Sequence, residues 1–515
     1  MPPPNLGDAA SPPALSCSLC DLGPPPAWPP RLNLAAHALF AGQPGDKVAL
    51  TVVGPDAAAL ESWTYDRLRD AVRRAAGALK AAGLEPGERV MLRVGNSSDF
   101  PILFLGAVAA GGVAVPTSAQ LTPAEAAYVA RDVGARFLVL GPGLSVEPTP
   151  ARILDPGLWR DGPAVEPADA NAEAPAFVVY TSGSSGRPKG VVHAHRAAWA
   201  RRMMWRGWYG LESGDRMLHA GAFNWTYTLG AGLLDPWGAG AATLVYDGPR
   251  DPGVWARIAA AHAPSLFAAT PGVYRQLLKY GEKVGAGFAA LRHGLSAGEK
   301  LPESLRDAWT AETGKPLHEA LGMSEVSTYL SSSPEAPPRP GTVGRPQPGR
   351  RVAVLARGAD RPAPVGETGE LAVCRRDPGL MLGYWRDADA TAAAMRGEWF
   401  VTGDLAAMDA DGYVAYRGRA DDLMNAGGYR VAPQEVEDAL LAHPGVAEAA
   451  VAAVEVREGV SIIAAWVVAE GVDAAEIEAW CAGRLAGYKR PRRITLVAAL
   501  PRTATGKIVR RALTD

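Results

Sequence analysis

Short apolar runs alternate with helix-forming stretches from about residue 63 to residue 140, and that alternation limits the fold more than any other feature. Leu68, Val72, Ala75 and Leu79 recur at helical spacing, with Arg67, Asp70, Arg73, Arg74 and Lys80 between them. This is the pattern of a helix with one apolar face, entered from a strand-like Trp63-Thr64-Tyr65. Gly83 ends it and Glu85-Pro86-Gly87 turns the chain. Arg89-Val90-Met91-Leu92 then reads as a buried strand, Phe100 to Ala110 as a helix of small residues, and Val113-Ala114-Val115-Pro116 as the next strand. Phe137 to Leu140 and Ala242 to Tyr246 continue the series. Strand, helix, strand at this rhythm predicts an α/β fold whose sheets are mostly parallel.

The end of the chain reads differently. A helix over Gln434 to Leu441, strands over Val446 to Val456 and Ser461 to Ala469, a helix over Ala474 to Leu485 and a strand over Ile494 to Val497 make a compact α+β unit. About a hundred residues suffice for a separate domain. The expected organisation is a Pro-rich N-terminal tail over residues 1–30, a large N-terminal domain over 31–419 and a small mobile C-terminal domain over 420–515. The polar stretch Arg417 to Asp422 marks the boundary, with a hinge near Asp421.

Composition narrows the function. Of 515 residues 48% are hydrophobic, enough for a large core, and 52 Lys plus Arg against 54 Asp plus Glu leave a formal charge of −2. Such a balance gives no reason to expect nucleic acid or an anionic membrane as partner. Four cysteines argue against a disulfide framework, and Cys17 and Cys20, a CxxC without a second ligand pair, read as two thiols in a frayed tail. No stretch nears the roughly 20 apolar residues of a membrane span, and the N-terminus lacks a basic region followed by an apolar run. The expected setting is the cytoplasm, as a monomer or homodimer.

The chemistry is concentrated in a few strings. Thr181-Ser182-Gly183-Ser184-Ser185-Gly186, followed by Lys189, leaves the apolar run Ala176 to Val179. Its glycines permit left-handed backbone and bring N–H groups close to a ligand, while hydroxyls and a lysine add donors. Such a loop can wrap a polyphosphate as a concave nest. It is not a GxxxxGK[ST] loop, because Pro188 stands where that motif needs glycine.

The string from Tyr180 to Gly190 resembles the phosphate-binding signature of the adenylate-forming superfamily, which includes acyl-CoA synthetases, adenylation domains of peptide synthetases and beetle luciferases. Four more signatures follow in the expected order: Gly322-Met323-Ser324-Glu325, Trp399 to Asp404, Gly418 to Asp422, and Pro501 to Lys507. The resemblance covers the chain from about residue 35 to its end. It implies that Glu325 holds Mg²⁺, that Asp404 binds the ribose hydroxyls, and that Arg419 reaches ribose or phosphate. Asp421 would be the pivot, and Lys507 would bridge the carboxylate and the α-phosphate. Ser296-Ala297-Gly298-Glu299 resembles the segment lining the adenine. Relatives mostly carry tyrosine where this chain has Leu321, so an aliphatic stacking surface is expected there. Thr181, Glu325, Arg419 and Lys507 are the catalytic candidates. Each residue type suits its role: a carboxylate accepts two hydrogen bonds from a diol, and a hard oxygen ligand suits Mg²⁺.

The implied reaction has two halves, with ATP and coenzyme A as co-substrates. A carboxylate attacks the α-phosphate to give acyl-AMP and pyrophosphate; a thiol then attacks the mixed anhydride and AMP leaves. Gly427 and Gly428 resemble the loop that meets the pantetheine arm. The sequence continues only eight residues past Lys507, so no attached carrier domain is expected and CoA is the default thiol. A stand-alone enzyme loading a separate carrier protein, and a non-catalytic nucleotide-binding regulator, remain alternatives.

For the acid, the stretches around Ser296, Glu325 and Gly341 to Pro346 look like benzoate-CoA ligases, whereas Phe223 to Gly230 with Asp235-Pro236-Trp237 looks nearer to medium-chain acyl-CoA synthetases. Phe223, Trp225, Tyr227, Gly230, Gly322, Ser327 and Thr328 are expected to border the acyl pocket, with Tyr329 beside them. Aromatics suit a compact aryl or apolar monocarboxylate. No basic residue in these stretches awaits a second carboxylate.

Overall fold

The alternating runs become two large sheets. In the computed structural model the described residues are 14–181, 188–249, 251–420, 424–426, 429–457, 460–485, 487, 489–502 and 508–513. One sheet has seven strands, ordered Gly383–Tyr384, Lys189–Ala194, Pro175–Thr181, Val113–Pro116, Arg89–Arg93, Ala135–Leu140 and Arg152–Leu154. Its strands run parallel from Pro175–Thr181 to Arg152–Leu154 and antiparallel at the other edge. A nine-stranded sheet is parallel through its centre, from Leu317–Met323 to Val48–Val53, and antiparallel at both edges. Parallel strands buried on both faces read as continuous apolar runs, which is why they were visible in the sequence.

Helices cover the sheets. Tyr65–Ala81 begins at Thr64, whose side chain accepts from the Arg67 amide, and buries Leu68, Val72, Ala75 and Leu79. It packs on Asp99–Ala109, and a Cβ at Gly106 would stand 2.4 Å from the Ala75 Cβ, so glycine sets how closely these helices approach.

A third large sheet is antiparallel throughout, built from Leu19–Asp21, Arg351–Leu355, Gly369–Cys374, Met395–Arg396, Trp399–Met408 and Val414–Arg419. It corrects the reading of the N-terminal stretch. Cys20 is buried in an edge strand of this sheet rather than in a frayed tail, although all four cysteines are free thiols. The strand is three residues long, too short to show a period-2 pattern.

Arg350 lies under this sheet with no exposed surface, donating to Asp377 Oδ1 at 2.5 Å and to the Thr328 carbonyl at 3.0 Å. Removing one partner of a buried pair strands the other charge. We therefore expect Asp377→Ala to cost about 3–5 kcal/mol in urea unfolding, and the apolar double variant Arg350→Met with Asp377→Leu to recover part of it. A loss below about 1 kcal/mol for the single variant would contradict this.

The small domain has its own core. Met424, Val436, Leu440, Val451, Ile463, Val467 and Ile477 cluster together, and among the described residues no core cluster mixes residues before Tyr416 with residues after Met424. Ion pairs cross between the domains: Lys300 with Asp438 at 2.7 Å, Arg275 with Glu448 at 3.0 Å and Lys279 with Glu470 at 3.3 Å. Partly exposed pairs of this kind contribute little each. Among the described residues no helix is long and apolar enough to cross a membrane.

Candidate active site

The segments after Thr181, Ala297 and Met323 leave the carboxyl ends of strands in the two large mixed sheets, where ligands bind in open α/β sheets, whereas Asp404 and Arg419 stand on strands of the antiparallel sheet. Thr181 ends Pro175–Thr181 and pairs in register with Lys189 on the returning strand. Ser182, Gly183, Ser184, Ser185 and Gly186 lie outside the described residues. The Lys189 ammonium stands 5.1 Å from the centre of the Tyr384 ring and 3.7 Å from Asp387.

Glu325 sits in the turn between Leu317–Met323 and Ser327–Ser331. Three contacts fix it. Tyr384 donates to its Oε1 at 2.8 Å, its carbonyl accepts from Met381 N, and His193 Nε2 meets the adjacent Ser324 carbonyl at 2.7 Å. A carbonyl only accepts, so Nε2 carries the proton and Nδ1 is the acceptor. Burial, then the Glu325 carboxylate, raises the Tyr384 phenol, so it stays a donor. Gly322 lies against Ser327 and Thr328, since a Cβ there would be 2.5 Å from the Ser327 carbonyl. Leu321 and Met323 pack on the core of the antiparallel sheet. Among the described residues no group of three His, Cys, Asp or Glu side chains could hold a metal. Glu325 is a half-buried acid that could supply one oxygen ligand to a hard cation.

Asp404 and Arg419 face each other across adjacent strands. Arg419 Nη1 donates to the Thr402 carbonyl at 2.8 Å and to Asp404 Oδ1 at 3.3 Å. Gly403 has φ +78°, and a Cβ on it would lie 2.6 Å from the Arg419 guanidinium. Any larger residue would displace the arginine.

Ser296 and Ala297 are buried at the end of His293–Ala297, and Gly298 follows at φ +97°. The Trp225 ring covers it, 2.7 Å from where its Cβ would stand. Glu299 pairs with Arg502 at 3.4 Å, which sets Arg502, near the start of the C-terminal motif, beside this segment. Lys507, Gly427, Gly428 and Asp421 lie outside the described residues. Arg502 and Ile508, which flank residues 503–507, form an antiparallel bridge.

The expected acyl-pocket residues divide. Phe223 stacks on Phe100 in the core with ring centres 5.0 Å apart, Tyr227 is buried with its hydroxyl towards the Leu295 carbonyl, and Thr328 Oγ1 meets the Met204 sulfur. Gly230 and Ser327 instead line a small cavity with Ser324, Thr226 and Leu229. Sequence reasoning missed the charged groups of that cavity, Arg201 and Arg350. Arg201 gives Nε and Nη2 to the two Asp235 oxygens at 2.8 and 2.6 Å and Nη1 to Ser327 Oγ at 2.5 Å; Tyr209 donates to Asp235 Oδ2 at 2.8 Å. Burial raises Asp235, while Arg201 and Tyr209 lower it. A signal was present: Asp235 is an acid inside the apolar run Gly230 to Trp237, and a buried acid demands a partner.

Comparison with known proteins gives the family. The model of AMP-binding enzymes matches residues 37–385, and that of the AMP-binding enzyme C-terminal domain matches residues 435–507. A 3-hydroxybenzoate–CoA ligase of Aromatoleum sp. (strain CIB) is 34% identical over 474 residues, covering 87% of this chain and 90% of that one. A benzoate–CoA ligase of Thauera aromatica is 33% identical over 519 residues, covering 94% and 97%. The crystal structure of a benzoate CoA ligase from Burkholderia xenovorans LB400 superimposes with a TM-score of 0.82 at 29% identity, covering 93% and 99%. With both domains matched in order and the strand-end motifs in place, the chain belongs to the family of AMP-binding enzymes.

Proposed function

We propose that the chain is an ATP- and Mg²⁺-dependent carboxylate–CoA ligase for a benzoate-like or medium-chain monocarboxylic acid, acting in a reducing cytoplasm. The observation that carries this reading is a run of contacts in which Thr181 pairs with Lys189, Lys189 lies over Tyr384 and Tyr384 holds Glu325; a separate pair, Asp404 with Arg419, stands on the antiparallel sheet. Aryl-CoA ligases among the relatives support the choice of acid and of CoA.

In the first half-reaction a carboxylate oxygen attacks the α-phosphorus and the bond to pyrophosphate breaks. Both reactants are anions, so the protein mainly neutralises charge and aligns them. Thr181, residues 182–186 and Lys189 would hold the phosphates. Asp404 would accept from the ribose diol while Arg419 stays over Gly403. Trp225, the segment Ser296 to Glu299 and Leu321 would bound the adenine. Mg²⁺ on Glu325 would supply positive charge to the phosphates. Lys507 would stabilise charge growing on the α-phosphate. In the second half-reaction the thiolate of CoA attacks the acyl carbon, the bond to AMP breaks, and AMP leaves. A weakly held small domain, turning about a boundary near Asp421, suits an exchange of Lys507 for the Gly427-Gly428 loop between the halves.

The test is AMP formation from ATP with benzoates and C4 to C10 acids, with and without CoA. AMP and acyl-CoA in equal amounts, dependent on acid and on CoA, are expected. Turnover only with a thiol-bearing carrier protein would replace CoA as acceptor, and no acid-dependent turnover would end the reading.

A further inference from the structure

The cavity beside the acidic turn is lined by polar groups that have hydrogen bonds to spare. Its free volume is about 20 Å³, room for one water-sized group. Arg201 has five N–H bonds, and the described residues take four of them, through Asp235, Tyr209 and Ser327. His193 is 3% exposed, its Nε2–H is committed to the Ser324 carbonyl, and its Nδ1 has no partner. Arg350, fully buried in the same wall, has an unpartnered Nε–H. The cavity therefore offers donors and one acceptor. Buried polar groups left this way are costly and are normally satisfied.

Two further facts make it a built recess. Ser327 holds φ +65°, a left-handed backbone that is unusual for serine and collects at functional sites. Gly230 leaves the space that Arg201 fills, since a Cβ there would stand 1.8 Å from Nη2. The charge is also already balanced. Arg201 is neutralised by Asp235 and Arg350 by Asp377.

We propose that this recess receives a ring hydroxyl of the acid, so that the substrate class is hydroxylated aromatic monocarboxylates, with Arg201 as a specificity-determining residue. A hydroxyl is water-sized, accepts from the guanidinium and donates to His193 Nδ1. A second carboxylate is too large and would bring uncompensated buried charge; an aryl amine could donate to His193 Nδ1, but its lone pair is drawn into the ring and accepts poorly from the guanidinium; an unsubstituted ring would leave the polar atoms unpaired. The inference rests on the acid-activating reading above.

The experiment compares kcat/KM for 3- and 4-hydroxybenzoate, benzoate, 3-aminobenzoate and isophthalate in the wild type and in Arg201→Lys. Lysine keeps a cation against Asp235 but lacks the planar fork that reaches several acceptors at once. A hydrogen bond to a charged group supports roughly a 10- to 100-fold preference. We expect the wild type to prefer at least one hydroxybenzoate over benzoate by tenfold or more, and Arg201→Lys to lower that ratio by tenfold or more. Equal losses on both acids would make Arg201 structural and the recess a site for a fixed water, which overturns the proposal, as would a wild type preferring benzoate, the amine or isophthalate. Acid-dependent ATP–pyrophosphate exchange separates the two levels: exchange with benzoates or fatty acids but no hydroxyl preference defeats only this inference, whereas no exchange with any acid defeats the parent reading as well.

Discussion

Replacing Lys507 by alanine is expected to lower acyl-AMP formation by roughly 10²–10³-fold, the range for losing one preorganised group that meets developing negative charge. Carboxylate and triphosphate repel, and the reaction builds charge on the α-phosphate while pyrophosphate departs. On the proposed reading a cation from the small domain meets that charge only when the domain is docked; Arg502 pairs with Glu299 and Glu448. The same variant should convert supplied acyl-AMP and CoA to thioester at a rate within a few-fold of the wild type, because the role proposed for Lys507 lies in the first half alone. Equal losses in both halves would show a folding or docking defect instead.

Acid should unfold the protein well above the usual carboxylate range. His193, His195, His219 and His318 are buried, and burial above all lowers the first two to about 4 and the last two to about 3. Unfolding returns each to its ordinary value near 6.5. A depressed folded value means that the unfolded chain binds the proton first. The stabilisation is therefore complete above about pH 6.5 and is lost as pH falls from there towards 4 and 3. Each buried histidine contributes about 1.4 kcal/mol per pH unit in that window. Calorimetry should show the unfolding midpoint falling steadily from pH 7 to pH 5, with net proton uptake on unfolding near pH 5.5, to which His37 and His293, also lowered by burial, add and Glu319, raised to about 7 by burial, subtracts. A midpoint flat between pH 7 and 5 would contradict the neutral assignment of these rings.

The parts of the fold legible in the sequence were those whose signal is local. The helix Tyr65–Ala81 and the strands Arg89–Arg93 and Val113–Pro116 carry their periodicity within a few residues. The antiparallel sheet did not show itself as such, since its strand Leu19–Asp21 is defined only by pairing with Arg351–Leu355, far along the chain. The site divides the same way. Motif residues such as Glu325 and Asp404 stand in recognisable strings. Arg201 reaches Asp235 across 34 positions and Ser327 across 126, and nothing in the spacing of an arginine predicts such partners. The motif places Phe223 at the pocket, and its stacking on Phe100 depends on how the turn before Thr226–Leu229 meets the helix Asp99–Ala109.

The central claim is that this chain activates a carboxylic acid as its adenylate before any thiol takes part. ATP–pyrophosphate exchange in the absence of CoA measures that step alone. The account predicts exchange that requires both a monocarboxylic acid and Mg²⁺ and that falls at least a hundredfold in Lys507→Ala; exchange independent of added acid, or none with any aromatic or medium-chain acid, would contradict it.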